Sequence, residues 1–246
     1  MPKGVTASHT PEGAKPRGPV VPVYLEAGNT RVFACSLDWP GWCRRAKTDE
    51  EALDALATYA PRYAVVAKRA GARFPAAAPT FDVVERIAWR GGKAFSHVDF
   101  GALGSAAERD SEPLTAAQAK RLAALVEAAW GLLDDVVAGA PAQLRKGPRG
   151  GGRDRDAVFA HVVAAETAYA RKLGVRHKEP QNREEIDAVR AGIIAAISGA
   201  RAGALATDSG VHVGAADTGW LPRYAARRIA WHVLDHAWEI EDRSAR

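Results

Sequence analysis

The spacing of the apolar residues changes within this 246-residue chain, and the change constrains its fold more than any other feature. From about Leu114 onward, apolar residues recur at the spacing of amphipathic helices. Glycine-rich or polar stretches divide this part into four segments, residues 114–140, 153–174, 182–205 and 220–246. Four long consecutive helices are typical of a four-helix bundle, which we predict for residues 112–246.

Local signals predict where these helices begin and end. Thr115 and Asn182 are predicted N-caps, and Glu185 completes a capping box with Asn182. Pro222 suits the first turn of the last helix, where its missing N–H is not needed. Gly174 suits the C′ position after the second helix, where a left-handed backbone is common.

The first half of the chain has the alternating pattern of strands. In residues 20–27 and in residues 30–36, apolar side chains alternate with other side chains. The turn residues Gly28 and Asn29 lie between the two segments, and the pattern predicts an antiparallel hairpin. A helix is predicted after Thr48, and a further strand follows around Phe81. We therefore predict an α+β protein.

The predicted domains have simple boundaries. Residues 1–19 are predicted to be a disordered tail because they are rich in Pro, Gly, Lys and Thr. Residues 20–95 form a predicted α+β domain, and residues 96–111 a linker before the bundle.

Charge and composition exclude several function classes. The net charge is +5, but it is spread evenly, with 15 basic and 12 acidic residues before position 111 and 19 and 17 after it. A nucleic-acid partner is therefore not expected. No stretch approaches the ~20 apolar residues of a membrane span, and no signal peptide begins the chain. Cys35 and Cys43 are predicted to be buried thiols, and we expect a cytoplasmic location.

Two histidines on the last predicted helix stand at metal-ligand spacing. His232 and His236 are four residues apart and project from the same helical face. Two such imidazoles can reach one metal ion. The alternative is a pair of hydrogen-bonded core histidines beside Trp231 and Trp238.

A third histidine favours the metal. His161 lies in an apolar stretch of the second predicted helix, where an unpaired imidazole costs free energy. Two facing helices could bring three imidazoles together, and three histidines with an open position are typical of a catalytic site. We predict a divalent metal at His161, His232 and His236, with zinc first and nickel or iron as alternatives.

Other side chains near this face are weaker candidates. Arg228 is predicted to bind an anionic substrate group, and Glu239 to orient a ligating histidine. An ordinary surface charge is the alternative for each. Glu166 and Tyr169 are further candidates, and His97 is a candidate fourth ligand. The remaining histidines, His9, His177 and His212, are predicted to be solvated.

The C-terminal region resembles the DinB / thiol-S-transferase superfamily. The resemblance covers about residues 112–246 and is carried by "DAVFAHVVAAETAYARKLG" and "RRIAWHVLDHAWEIEDR". It implies a metal-binding bundle with His161, His232 and His236 as ligands. It also implies a homodimer and a small-molecule substrate, with mycothiol or bacillithiol as a candidate co-substrate.

The N-terminal region is similar to the HicB-like fold. The similarity covers about residues 20–70 and rests on "VYLEAG" and "LDWPGWCRRAKTDEEALDAL". It implies an antitoxin-type interaction module, but the chain has no DNA-binding segment of the kind that accompanies it. Two functions are therefore expected: a metal-dependent thiol S-transferase or hydrolase, or a non-catalytic metal-binding regulatory protein.

Overall fold

The computed structural model describes residues 19–75, 79–92, 94, 96–147, 151–199 and 219–244. These residues form a mixed α+β structure, as the sequence predicts. The strands are β1 (Val20–Ala27), β2 (Val32–Ser36), β3 (Cys43–Ala46) and β4 (Thr80–Ala88). The helices are α1 (Asp49–Thr58), α2 (Ala60–Arg69), α3 (Ala116–Gly139), α4 (Arg155–Lys172), α5 (Arg183–Ser198) and α6 (Pro222–Ser244).

The four strands form one sheet in the order β3-β2-β1-β4. β1 and β2 form the predicted antiparallel hairpin. β4, which follows α1 and α2 along the chain, pairs with β1 in parallel. β3 was not predicted, because Arg44 and Arg45 interrupt the apolar pattern of this short strand. Cys35 and Cys43 lie opposite each other on β2 and β3 as buried free thiols, and burial raises the pKa of Cys35.

The predicted capping residues are found at the helix ends. The side chains of Thr115 and Asn182 accept hydrogen bonds from the N–H groups of Gln118 and Glu185, at 3.2 and 2.9 Å. Gly174 follows the end of α4 with φ of 79°, the left-handed conformation that glycine adopts without strain. These local signals therefore predict the ends of the helices well.

The sheet and the long helices share one hydrophobic core. α3, α4, α5 and α6 pack against one another, and α6 also receives the turn between β2 and β3. A Cβ atom on Gly41 of that turn would come within 2.7 Å of Leu234 and 2.9 Å of the Ala230 carbonyl carbon on α6. Val23 of the sheet and Leu125 of α3 therefore belong to the same buried cluster. No helix in the described part of the chain is both long and apolar enough to cross a bilayer.

Residues 96–111, predicted as a linker, pack against the sheet and α6. Val98 and Leu103 are buried beside β1 and β2 in a second apolar cluster. The buried Glu26 carboxylate of β1 accepts hydrogen bonds from the backbone N–H groups of Gly104 and Ser105, at 3.0 and 2.9 Å. These contacts satisfy backbone groups that have no strand or helix partner.

A buried ion pair attaches the end of this segment to α6. Asp110 receives two hydrogen bonds from the guanidinium of Arg227, and both side chains are almost completely buried. The Arg227 guanidinium also lies over the ring of Tyr24 on β1, 5.0 Å from its centroid. One cation thus connects α6, the 96–111 segment and the sheet.

Removing the carboxylate of this pair should destabilise the fold strongly. We expect Asp110→Ala to lower the free energy of unfolding by about 3–5 kcal/mol, because it leaves a buried guanidinium without its counter-charge. The measurement is urea denaturation followed by far-UV circular dichroism. Glu108→Ala is the matched control, since Glu108 is exposed two residues away. Equal denaturation midpoints for the two variants would contradict this role of Asp110.

Candidate metal centre

The structure brings the three predicted histidines together. His232 and His236 project from one face of α6, and α4 packs beside that face with His161 directed at them. The ring centroids are 4.7 to 5.1 Å apart, and one nitrogen from each ring lies within 4.8 Å of the other two. Three imidazoles from two helices therefore form one compact cluster.

The closest nitrogens have the separation that a tetrahedral metal requires. The Nε2 atoms of His232 and His161 are 3.3 Å apart. Two nitrogens bound at about 2.0–2.1 Å to a tetrahedral zinc ion would be roughly 3.3 Å apart. The donor set and this spacing fit a divalent metal such as zinc.

Burial keeps His161 and His232 in the neutral form that binds metals. Only 8% of the His232 surface is exposed. Burial, together with smaller contributions from the neighbouring His236 and Arg228, lowers the pKa of His232 to about 2. Burial also lowers the pKa of His161, with a further contribution from His236. A neutral imidazole keeps a lone pair for a metal, whereas a protonated one has none.

Glu239 forms a hydrogen bond with His236. The His236 Nδ1 atom lies 2.8 Å from a Glu239 carboxylate oxygen, to which it donates its hydrogen. Arg243 donates to the other oxygen at 2.6 Å, and these two partners, His236 first, lower the pKa of Glu239. The tautomer that this contact selects leaves the His236 Nε2 lone pair free. Carboxylates that hold a ligating histidine in this way are common in metal sites.

Arg228 and Tyr169 also lie beside the cluster. The guanidinium of Arg228 is 4.7 Å from the ring of Trp231 and 5.3 Å from that of Tyr169. The ring of Tyr169 is 5.7 Å from that of His232. A positive charge therefore lies next to the predicted metal site, held between aromatic rings.

Other predicted residues lie elsewhere. Glu166 is buried against α5, where its carboxylate accepts hydrogen bonds from Arg190 at 3.0 and 3.3 Å. The Nε2 atom of His97 is 2.6 Å from a carboxylate oxygen of Glu26, and His177 packs beside Gly192 of α5. None of these three joins the histidine cluster. The positions of His9 and His212 lie outside the described residues.

Two aromatic residues of this region, Trp220 and Tyr224, were not predicted from the sequence. Trp220 lies 4.9 Å from Tyr169 and 5.0 Å from Tyr224, between ring centroids, and extends the aromatic surface beyond Arg228. A signal for these residues is present in the sequence, since they belong to a row spaced by four. The members of this row are Trp220, Tyr224, Arg228, His232 and His236.

Comparison with known proteins adds no family assignment. No family model, curated protein or solved structure matches the chain. The inference about function therefore depends on the residues of the cluster and on the sequence resemblances given above.

Breaking the contact between Glu239 and His236 should weaken metal binding. We expect Glu239→Gln to lower the affinity for zinc by about 10- to 100-fold, because a neutral amide fixes the imidazole less well. Glu241→Gln is the control, since the Glu241 carboxylate bonds to Arg62 of α2, away from the cluster. Competition with a chromogenic chelator measures both affinities. Unchanged zinc affinity in Glu239→Gln would exclude this orienting role.

Proposed function

We propose that the chain is a metal-dependent enzyme of the DinB-like superfamily, with α3–α6 as its four-helix bundle. The observation that carries the proposal is the cluster of His161, His232 and His236, three imidazoles that two packed helices bring within 4.8 Å. Burial of His232 and the contact of Glu239 with His236 support the same reading.

Three protein ligands leave a further position for a reacting group, as in catalytic sites. When bound, a divalent metal would lower the pKa of a water or a thiol at that position and supply a nucleophile at neutral pH. We propose zinc as the metal, with nickel and iron as alternatives. The reaction is either thiol transfer, with mycothiol or bacillithiol as co-substrate, or hydrolysis of a small molecule.

The protein's own side chains have separate tasks in this proposal. His161 and His232 stay neutral through burial, and Glu239 holds the proton of His236 away from the shared space. The charge of Arg228 stabilises negative charge on a substrate next to His232. The indole of Trp231 and the phenol ring of Tyr169 keep that guanidinium in place.

For the N-terminal region we propose a HicB-like fold with a structural role. Its sheet shares a core with the long helices, and Phe33 of β2 packs edge-on against Trp231, with 5.5 Å between ring centroids. Trp231 precedes His232, so the sheet supports the helix turn that carries a predicted ligand. An independent antitoxin-type module would not need this shared core. This contact favours a structural role for the sheet over an independent interaction module.

Metal content tests the site directly. We expect untagged protein to contain close to one zinc per chain by elemental analysis, and the His232→Ala/His236→Ala variant to contain none, because two of three ligands are lost. His177→Ala is the control, since His177 lies outside the cluster. A wild-type protein that stays metal-free after incubation with zinc, nickel and iron would exclude the metal centre.

Activity tests the reaction. We expect the zinc-loaded protein to consume mycothiol or bacillithiol with an electrophile, or to hydrolyse an activated ester, and His232→Ala to reduce the rate to background. Mass spectrometry of the products distinguishes thiol transfer from hydrolysis. Zinc binding without turnover in either assay would favour the regulatory alternative.

A further inference from the structure

Unpaired buried nitrogens are concentrated around His232. Arg228 Nη1, Trp231 Nε1 and His232 Nδ1 are all shielded from solvent, and none has a hydrogen-bond partner among the described residues. Native proteins pair nearly all such groups, so an unpaired one calls for an explanation such as a ligand. Two of them, Arg228 Nη1 and Trp231 Nε1, can only donate and lie three residues apart on one helix, so they indicate a missing acceptor.

The charge of Arg228 is unusual for its surroundings. Its neighbour Arg227 is neutralised by Asp110, but Arg228 has no carboxylate within ion-pair distance in the described parts of the chain. Its guanidinium lies against the faces of Trp231 and Tyr169 instead. Aromatic faces attract a cation but accept none of its in-plane hydrogen bonds. Arg228 Nη1 therefore has no acceptor among the described residues, a need that an anion would meet.

The surface next to this cation is aromatic. Tyr169 stands between His232 and Trp220, at 5.7 and 4.9 Å between ring centroids, and Tyr224 continues the row 5.0 Å from Trp220. Flat apolar molecules pack favourably on such rings. A ligand with its anionic end at Arg228 would therefore have its body on this surface and next to His232.

We infer that Arg228, Trp231, Tyr169 and Trp220 form a pocket for a carboxylate attached to an aromatic or similarly flat group. The guanidinium of Arg228 and the indole N–H of Trp231 donate hydrogen bonds to the carboxylate, and the ligand's ring packs on Tyr169 and Trp220. A planar monoanion matches one guanidinium fork and one further donor, whereas a phosphate dianion has more charge and more acceptors than this site offers. The inference rests on the proposed function in one respect: it makes this molecule the substrate of an enzyme whose metal lies at the neighbouring histidines.

Isothermal titration of the full chain with benzoate tests the pocket, with benzamide as the uncharged comparison. Titrations are made on chelator-treated and on zinc-loaded protein. We expect benzoate to bind both forms, benzamide to bind about tenfold more weakly or not at all, and Arg228→Gln to weaken benzoate by about tenfold to a hundredfold. Trp231→Phe removes one donor and keeps an aromatic ring, so it should weaken benzoate binding less than Arg228→Gln does.

Arg171→Gln is the matched control, since it removes the same charge from an exposed position near Tyr169. Circular dichroism and urea midpoints show whether each variant is folded. Equal benzoate affinity in Arg228→Gln and wild type overturns the inference, as does the absence of benzoate binding at millimolar concentration. Inorganic phosphate is titrated in the same way. If it binds more tightly than benzoate and this binding is lost in Arg228→Gln, the inference that the ligand is a carboxylate is wrong.

The two proposals fail in different ways. Arg228-dependent benzoate binding to a protein that binds no metal supports the pocket and rejects the metal enzyme. Zinc binding that needs His232 and His236, without benzoate binding, rejects the pocket and leaves the metal centre in place.

Discussion

Helix α6 is buried along most of its length, and its faces contact different parts of the molecule. Ile229 and Val233 belong to the large core shared with α3, and Trp231 belongs to the smaller cluster under the 96–111 segment. Gly41 brings the β2–β3 turn against the α6 backbone. Because so many elements pack on this helix, its position and rotation are determined from several directions. Arg227, fixed to Asp110, adds a charged contact that tolerates little movement.

A helix held in this way is a good support for a binding site. Side chains four residues apart on α6 form one row, so fixing the rotation of the helix fixes the direction of the whole row. That row contains an aromatic end, a cation and two imidazoles. His161 and Tyr169 come from α4, and Trp220 lies two residues before the start of α6. The site therefore depends on one packing relation, that between α4 and α6, and on the sheet that backs α6 through Phe33 and Trp231.

The sequence predicts most where local chemistry decides the structure. Caps such as Thr115 and Asn182 act within one helical turn, and the spacing of His232 and His236 places both on one face whatever surrounds the helix. The sequence predicts less where distant residues decide. Residues 96–111 have few apolar side chains, and their order comes from partners far away in the chain, such as Glu26 and Arg227. Neither partner can be identified from the segment itself.

The charges of the site also favour an anionic ligand. His161 and His232, which burial keeps neutral, bring no charge of their own, and Glu239 shares its negative charge with Arg243. Arg228 therefore adds a positive charge that no described carboxylate balances, in surroundings where burial strengthens electrostatic interactions. A divalent cation at the three imidazoles would increase this imbalance. An anion at Arg228 reduces it, so metal binding and anion binding should favour each other, as expected for two ligands with opposite charges in one low-dielectric site.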